Sequence, residues 1–158
     1  MSASEPSREE LLRLVAELNA ETEALRRRLD ESDWLGGALK QRTRTLDERV
    51  KELRCAYGLV RLIRDQRPLE SRLRDAIALL PAAWQHAEHA GARIRLGAFD
   101  LRTDGFRESA WRQAEPIPGG GTVEVSYPRK FADADEGPFL KEERALLKVV
   151  AEALAAMR

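Results

Sequence analysis

Alternating steps of four and three residues starting at Leu11 reach Val15, Leu18, Thr22, Leu25, Leu29, Ser32, Gly36, Leu39, Thr43, Leu46, Val50, Leu53, Tyr57 and Val60. The register never slips, and most of its positions are apolar. Such spacing lays one apolar seam along a helix of about 3.5 residues per turn, the mark of a supercoiled pair. An unbroken helix over this stretch would be about 75 Å long at about 1.5 Å per residue. No small core can bury that length, so the helix must find a partner. The expectation is a parallel dimeric stalk, with Leu11, Val15, Leu18, Leu25, Leu29, Leu39, Leu46, Val50, Leu53 and Tyr57 as its dimer interface.

Residues 1–6 are small and polar and are expected to be a disordered tail. Ser7 and Glu10 then form a capping-box pair that starts the helix. The weakest stretch is Ser32 to Gly37. Two glycines cost about 1 kcal/mol each inside a helix, and Ser32 and Asp33 are good caps, so a hinge at 32–37 is one reading. The seam keeps its phase across this stretch, which favours a continuous or locally loosened helix. From Leu46 a second apolar set (Ala56, Leu59, Leu62, Ile63) appears beside the seam. A helix with two apolar flanks has two partners, so the stalk of residues 7–45 passes into a domain over 46–158.

Gln66-Arg67-Pro68 ends the helix, because a residue before proline avoids the helical region. A second helix carrying Leu69, Leu73, Ile77, Leu79 and Leu80 is expected to stop at Pro81. Apolar residues then alternate with polar ones. Ala92, Ile94 and Leu96 form one strand, and Phe99 and Leu101 a second, with Thr103-Asp104-Gly105 as a turn. Ala110 to Ala114 is expected as a third strand, and Val123, Val125 and Tyr127 share a face of a fourth. Pro138 is expected to open the last helix, whose core stripe is Leu140, Leu147, Val150 and Leu154. Short strands on short turns imply an antiparallel sheet, and the element order gives an α+β fold.

Bulk chemistry narrows function. Charged residues are 34% of the chain but cancel, 27 basic against 27 acidic, so net charge draws it neither to nucleic acid nor to an anionic membrane. No signal peptide or stretch of membrane-spanning length is present, so a cytoplasmic protein is expected. The single cysteine, Cys55, excludes an intramolecular disulfide and reads as a small buried apolar residue. His86 and His89 have metal-like spacing, but no acidic pattern completes a site, so a solvated loop is the simpler reading. No nucleophile elbow or phosphate-binding glycine loop occurs. Gly119-Gly120-Gly121 lacks the flanking strand and helix and reads as a turn. No enzymatic activity, metal or cofactor is expected.

The segments ELRCAYGLVRLI, LLPAAWQ, ARIRL, FRESAWRQ, GTVEVSYP and DEGPFLKEERALL resemble, in order over residues 46–158, a GAF-like sensor domain of bacterial and archaeal signalling proteins, of the type found beside histidine kinases. The resemblance implies an antiparallel sheet backed on one side by the first and last helices, with a ligand or interaction cavity on the other. It also implies a homodimer whose coiled coil enters the domain, working with a partner signalling protein such as a kinase or regulator. Two departures stand out. No kinase, phosphoacceptor or DNA-binding module is expected, so the domain would be expected to act through a separate partner. The connection from Glu115 to Gly121 is also shorter than the two-stranded excursion of the family.

Under that resemblance Trp84, Phe106, Trp111 and Tyr127 would stack on a small-molecule ligand, with polar contacts from Arg107, Arg112 and Gln113. The competing reading is that the aromatics fill the core and that Arg112 pairs with Glu115 or Glu124 on a neighbouring strand. The sequence therefore points to a sensory or regulatory module in signal transduction. The alternative is a constitutive adaptor that binds no ligand and whose helices recruit a partner protein.

Overall fold

The computed structural model describes residues 7–158. The expected tail, residues 1–6, lies outside the described residues. The chain divides into two units, Met1–Thr45 and Leu46–Arg158.

In the first unit every described residue after Ser7 is helical, as part of α1 (Arg8–Arg64). The capping box forms as the sequence requires: the Ser7 backbone N–H donates to Glu10 Oε2 (2.7 Å), and Glu10 N–H donates to Ser7 Oγ (3.3 Å). Ser32 to Gly37 is α-helical too. Thr22 and Thr43, polar members of the seam, turn their hydroxyls onto the carbonyls of Leu18 and Leu39 and so satisfy themselves within the helix.

The second unit holds the rest of α1, then α2 (Leu69–Ala83), β1 (Gly91–Leu96), β2 (Phe99–Arg102), β3 (Arg112–Pro116), β4 (Thr122–Ser126) and α3 (Lys141–Ala156). The fold is α+β. Its sheet has the order β2-β1-β4-β3, antiparallel throughout. The register sets Ile94 opposite both Leu101 and Val123, and Val125 opposite both Ala92 and Gln113. That face lies under two helices, α2 against β1 and β2, and α3 against β3 and β4. The helices on the strands are thus the second and the last, where the family resemblance implied the first and the last. Leu73, Ala76, Ile77 and Leu80 of α2 and Leu147, Val150 and Leu154 of α3 fill the core, and α1 adds Cys55, Leu59 and Leu62.

Three expected boundaries are corrected. Pro81 does not stop α2 but sits in its last turn, where its missing N–H removes a single hydrogen bond to the preceding turn and only two helical residues follow. Trp84 N–H closes the helix onto the Pro81 carbonyl (3.2 Å). The third strand begins at Arg112, not Ala110. Before it, the Ser109 hydroxyl accepts from Trp111 N–H (3.0 Å) and Arg107 O accepts from the Ser126 hydroxyl (2.8 Å), so side chains occupy backbone groups a ladder would need. The last helix begins at Lys141, not Pro138, because Glu136 and Phe139 exchange backbone hydrogen bonds (2.9 Å each) and hold that stretch as a bridge.

Between β3 and β4 the chain reverses over Ile117–Gly121, with Ile117 N–H on Gly121 O (3.0 Å) and Gly120 N–H on Ile117 O (2.9 Å). The turn requires glycine at 121. Its φ is 111°, and a Cβ there would lie 2.4 Å from the Arg95 carbonyl oxygen.

Candidate functional site

The seam divides α1 by environment. Cys55, Leu59 and Leu62 on its second flank are buried. All ten residues expected at a dimer interface are exposed: Leu11, Val15, Leu18, Leu25, Leu29, Leu39, Leu46, Val50, Leu53 and Tyr57 keep between 43% and 68% of their surface. An isolated exposed leucine needs no explanation, but a continuous apolar row does. Among the described residues nothing covers this one.

Residues expected around a ligand separate onto different parts of the second unit. Trp84, Gln113 and Tyr127 lie on the core side, each with 0% exposure. Trp84 Nε1–H donates to Gln113 Oε1 (3.2 Å), and Gln113 Nε2 donates to Glu136 Oε2 (3.2 Å). Glu136 pairs in turn with Arg144, which also holds Glu115 (2.9 Å) and the Ala114 carbonyl (2.8 Å). The chain of contacts leads from the end of α2 through β3 to α3 and leaves no polar atom of Trp84 or Gln113 free. No buried side-chain nitrogen or oxygen lacks a partner among the described residues. Tyr127 stacks on Phe139 (4.8 Å, 11°) and meets His86 and Phe131 edge-on.

Phe106 is buried elsewhere, its backbone so close to Gly91 that a Cβ there would meet Phe106 Cα at 2.4 Å. Arg107 is exposed and turns its guanidinium onto the carbonyls of Asp104 (3.0 Å) and Phe106 (2.8 Å). Trp111 is half-buried beneath the Lys130 ammonium (5.5 Å). Arg112 stands 3.7 Å from Glu124 of the neighbouring strand, one of the two pairings expected for it. The sheet face carrying Arg112 and Glu124 also presents Arg93, Arg95, Asp100 and Arg102. Arg93 there forms a two-pronged pair with Asp100 (2.8 and 2.6 Å) that holds the Asp100 carboxyl down to about 2.

His86 differs from the solvated loop residue expected. It is half-buried and stacked on Phe131 (4.2 Å, 15°), and desolvation, aided by His89, holds its pKa down. His89 is exposed, and no group of three His, Cys, Asp or Glu able to hold a metal occurs among the described residues. Cys55 is buried as expected, and burial pushes its thiol up to about 11.

One buried ionisable group escaped the sequence reading. Glu143, in the first turn of α3, is 2% exposed and accepts backbone hydrogen bonds from Leu140 (2.9 Å) and, across the fold, from Gln85 (2.6 Å). Desolvation pushes its carboxyl up to about 7, and the two N–H donors oppose that shift. Its spacing, three residues after Leu140, is the only sequence signal, and the residue at the cap position is apolar.

Against this geometry, no family model, curated protein or solved structure matches the chain. No helix is long and apolar enough to cross a membrane.

Proposed function

We propose that the chain is a non-catalytic, homodimeric regulatory module of bacterial signal transduction, a GAF-like domain coupled to a coiled-coil stalk that works on a partner protein in the cytoplasm. The observation that carries this reading is the seam: one apolar row in constant phase, exposed over its whole length, beside a second flank of the same helix that is buried. A second copy offers the same row and would remove both from water together. Binding of a ligand or partner at the domain regulates only by favouring one arrangement of the paired helices over another. Light scattering on the full chain tests the base of the proposal: a dimer is expected, and a monomer at micromolar concentration defeats it.

The constitutive adaptor is a second reading, and a specific observation favours it over small-molecule sensing. Trp84, Gln113 and Tyr127 are spent on the core, and their polar atoms already have partners. Native mass spectrometry of freshly purified protein separates the two. A retained small molecule supports the sensor, and a bare chain under conditions that preserve the dimer supports the adaptor.

A further inference from the structure

We infer that the second copy on the seam runs parallel and in exact register with the first, its orientation written in the charges that flank the apolar row. The inference rests on the dimeric reading above and carries the parallel expectation of the heptad seam further, to the exact register of two identical helices and the charges that fix it.

The argument starts with the types of residue along the row. One of its two alternating sets is Leu11, Leu18, Leu25, Ser32, Leu39, Leu46, Leu53 and Val60, the d positions of the heptads. The other, at a, is Val15, Thr22, Leu29, Gly36, Thr43, Val50 and Tyr57. Within parallel coiled coils, leucine at d with β-branched residues at a, here Val15, Thr22, Thr43 and Val50, favours two strands. In exact register each layer meets its own copy, so the polar and small layers at Thr22, Ser32, Gly36 and Thr43 face themselves. In antiparallel pairing a faces d, so the two alignments that keep the rows in contact set Thr22 against Leu46 or Leu53, Gly36 against Ser32 or Leu39, and Thr43 against Leu25 or Ser32.

Charge decides the same way. In a parallel pair the g residue of one helix meets the e residue of the next heptad on the other. Glu21 then meets the second copy's Arg26, Arg28 meets Asp33, and Arg42 meets Asp47, each pair opposite in sign. All six side chains are exposed. The ion pairs that α1 makes within itself, Arg49–Glu52 and Lys51–Glu48, use other residues. One like pair remains, Arg49 with Arg54, and Arg49 is already held by Glu52 at 3.0 Å. In antiparallel pairing g meets g and e meets e. With Thr22 opposite Leu46, Arg28 meets Arg42 and Arg26 meets Lys40. With Thr22 opposite Leu53, Arg28 meets Arg49, while Arg26–Asp47 and Asp33–Lys40 are opposite in sign, fewer opposite pairs than the parallel alignment makes. Like charges at these positions are what excludes a wrong partner or alignment.

The test uses the full chain with single cysteines at two a positions, Thr22→Cys and Thr43→Cys, oxidised with diamide and run on a non-reducing gel beside light scattering of the same samples. Native Cys55 is buried and is expected to leave wild-type chain uncrosslinked. Parallel pairing in register brings each new thiol against its own copy, within the reach of a disulfide. Both variants are then expected to double in mass, reversibly on reduction. Dimers by light scattering with a crosslink at neither position, or at one alone, overturn the inference and leave the dimeric reading standing. Monomers by light scattering overturn both.

Discussion

Replacing Glu143 by glutamine isolates a buried charge whose cost depends on pH. In the folded chain its carboxyl titrates near 7, raised from 4.5 by burial. The folded state therefore binds the proton more tightly than the unfolded state. The stability gained from the neutral acid is complete below about pH 4.5 and is lost as pH rises through about 7. That span corresponds to roughly 3 kcal/mol at most, at about 1.4 kcal/mol per pH unit. Glutamine cannot ionise, so the slope should vanish. The substitution has its own constant cost, because the amide offers one oxygen to two donors, Leu140 and Gln85 N–H, and faces the other with an NH₂ group. An orphaned buried donor costs about 1–3 kcal/mol. E143Q should thus be clearly less stable than wild type at pH 5, with the gap closing or reversing by pH 8. Urea unfolding at fixed protein concentration measures both, with tryptophan fluorescence, to which the buried Trp84 contributes, as reporter. Burial and His89 lower the His86 pKa, so its stabilising effect is lost as pH falls, the opposite sense. Its contribution is common to both proteins and drops out of the difference. A wild-type minus variant difference that stays flat from pH 5 to 8 would refute the reasoning.

Three further outcomes follow from the packing. Trp84→Phe removes the donor to Gln113 Oε1 and leaves a void where exposure is 0%, and it should cost about 2–4 kcal/mol in urea unfolding. Leu25→Glu places a charge on the exposed seam and should shift light scattering from dimer to monomer, while near-ultraviolet circular dichroism of the Leu46–Arg158 core remains unchanged. Gly121→Ala forces a side chain into the left-handed region and against Arg95 O, so melting should fall by several degrees, from a loss of about 1–3 kcal/mol.

What was legible in the sequence was whatever repeats. Heptad spacing showed α1 because one long apolar row has no other economical meaning, and alternation showed β1, β2 and β4 because each turns its apolar residues to one face, toward the core. The third strand has no such alternation, since its inward residues are Gln113 and Glu115, polar groups made tolerable only by Trp84, Glu136 and Arg144 from distant parts of the chain. Those partners are about thirty residues away or brought in by the fold, beyond the reach of any local pattern. The same limit scattered the expected ligand residues. Neighbours such as Arg112 and Gln113 point to opposite faces of one strand, so their closeness in sequence carried the wrong implication. Glu143 was invisible for a related reason: its second donor, Gln85, lies 58 positions away.

Cys55 gives the molecule a built-in clock. Its thiol is shut inside the core and protonated at any ordinary pH, so a thiol reagent reaches it only when α1 lifts from its neighbours. The labelling rate under native conditions thus counts openings of that core, and does so with no engineered probe. Any partner that acts by loosening or tightening the buried flank of α1 would speed or slow the count, while one confined to the outer seam would leave it unchanged.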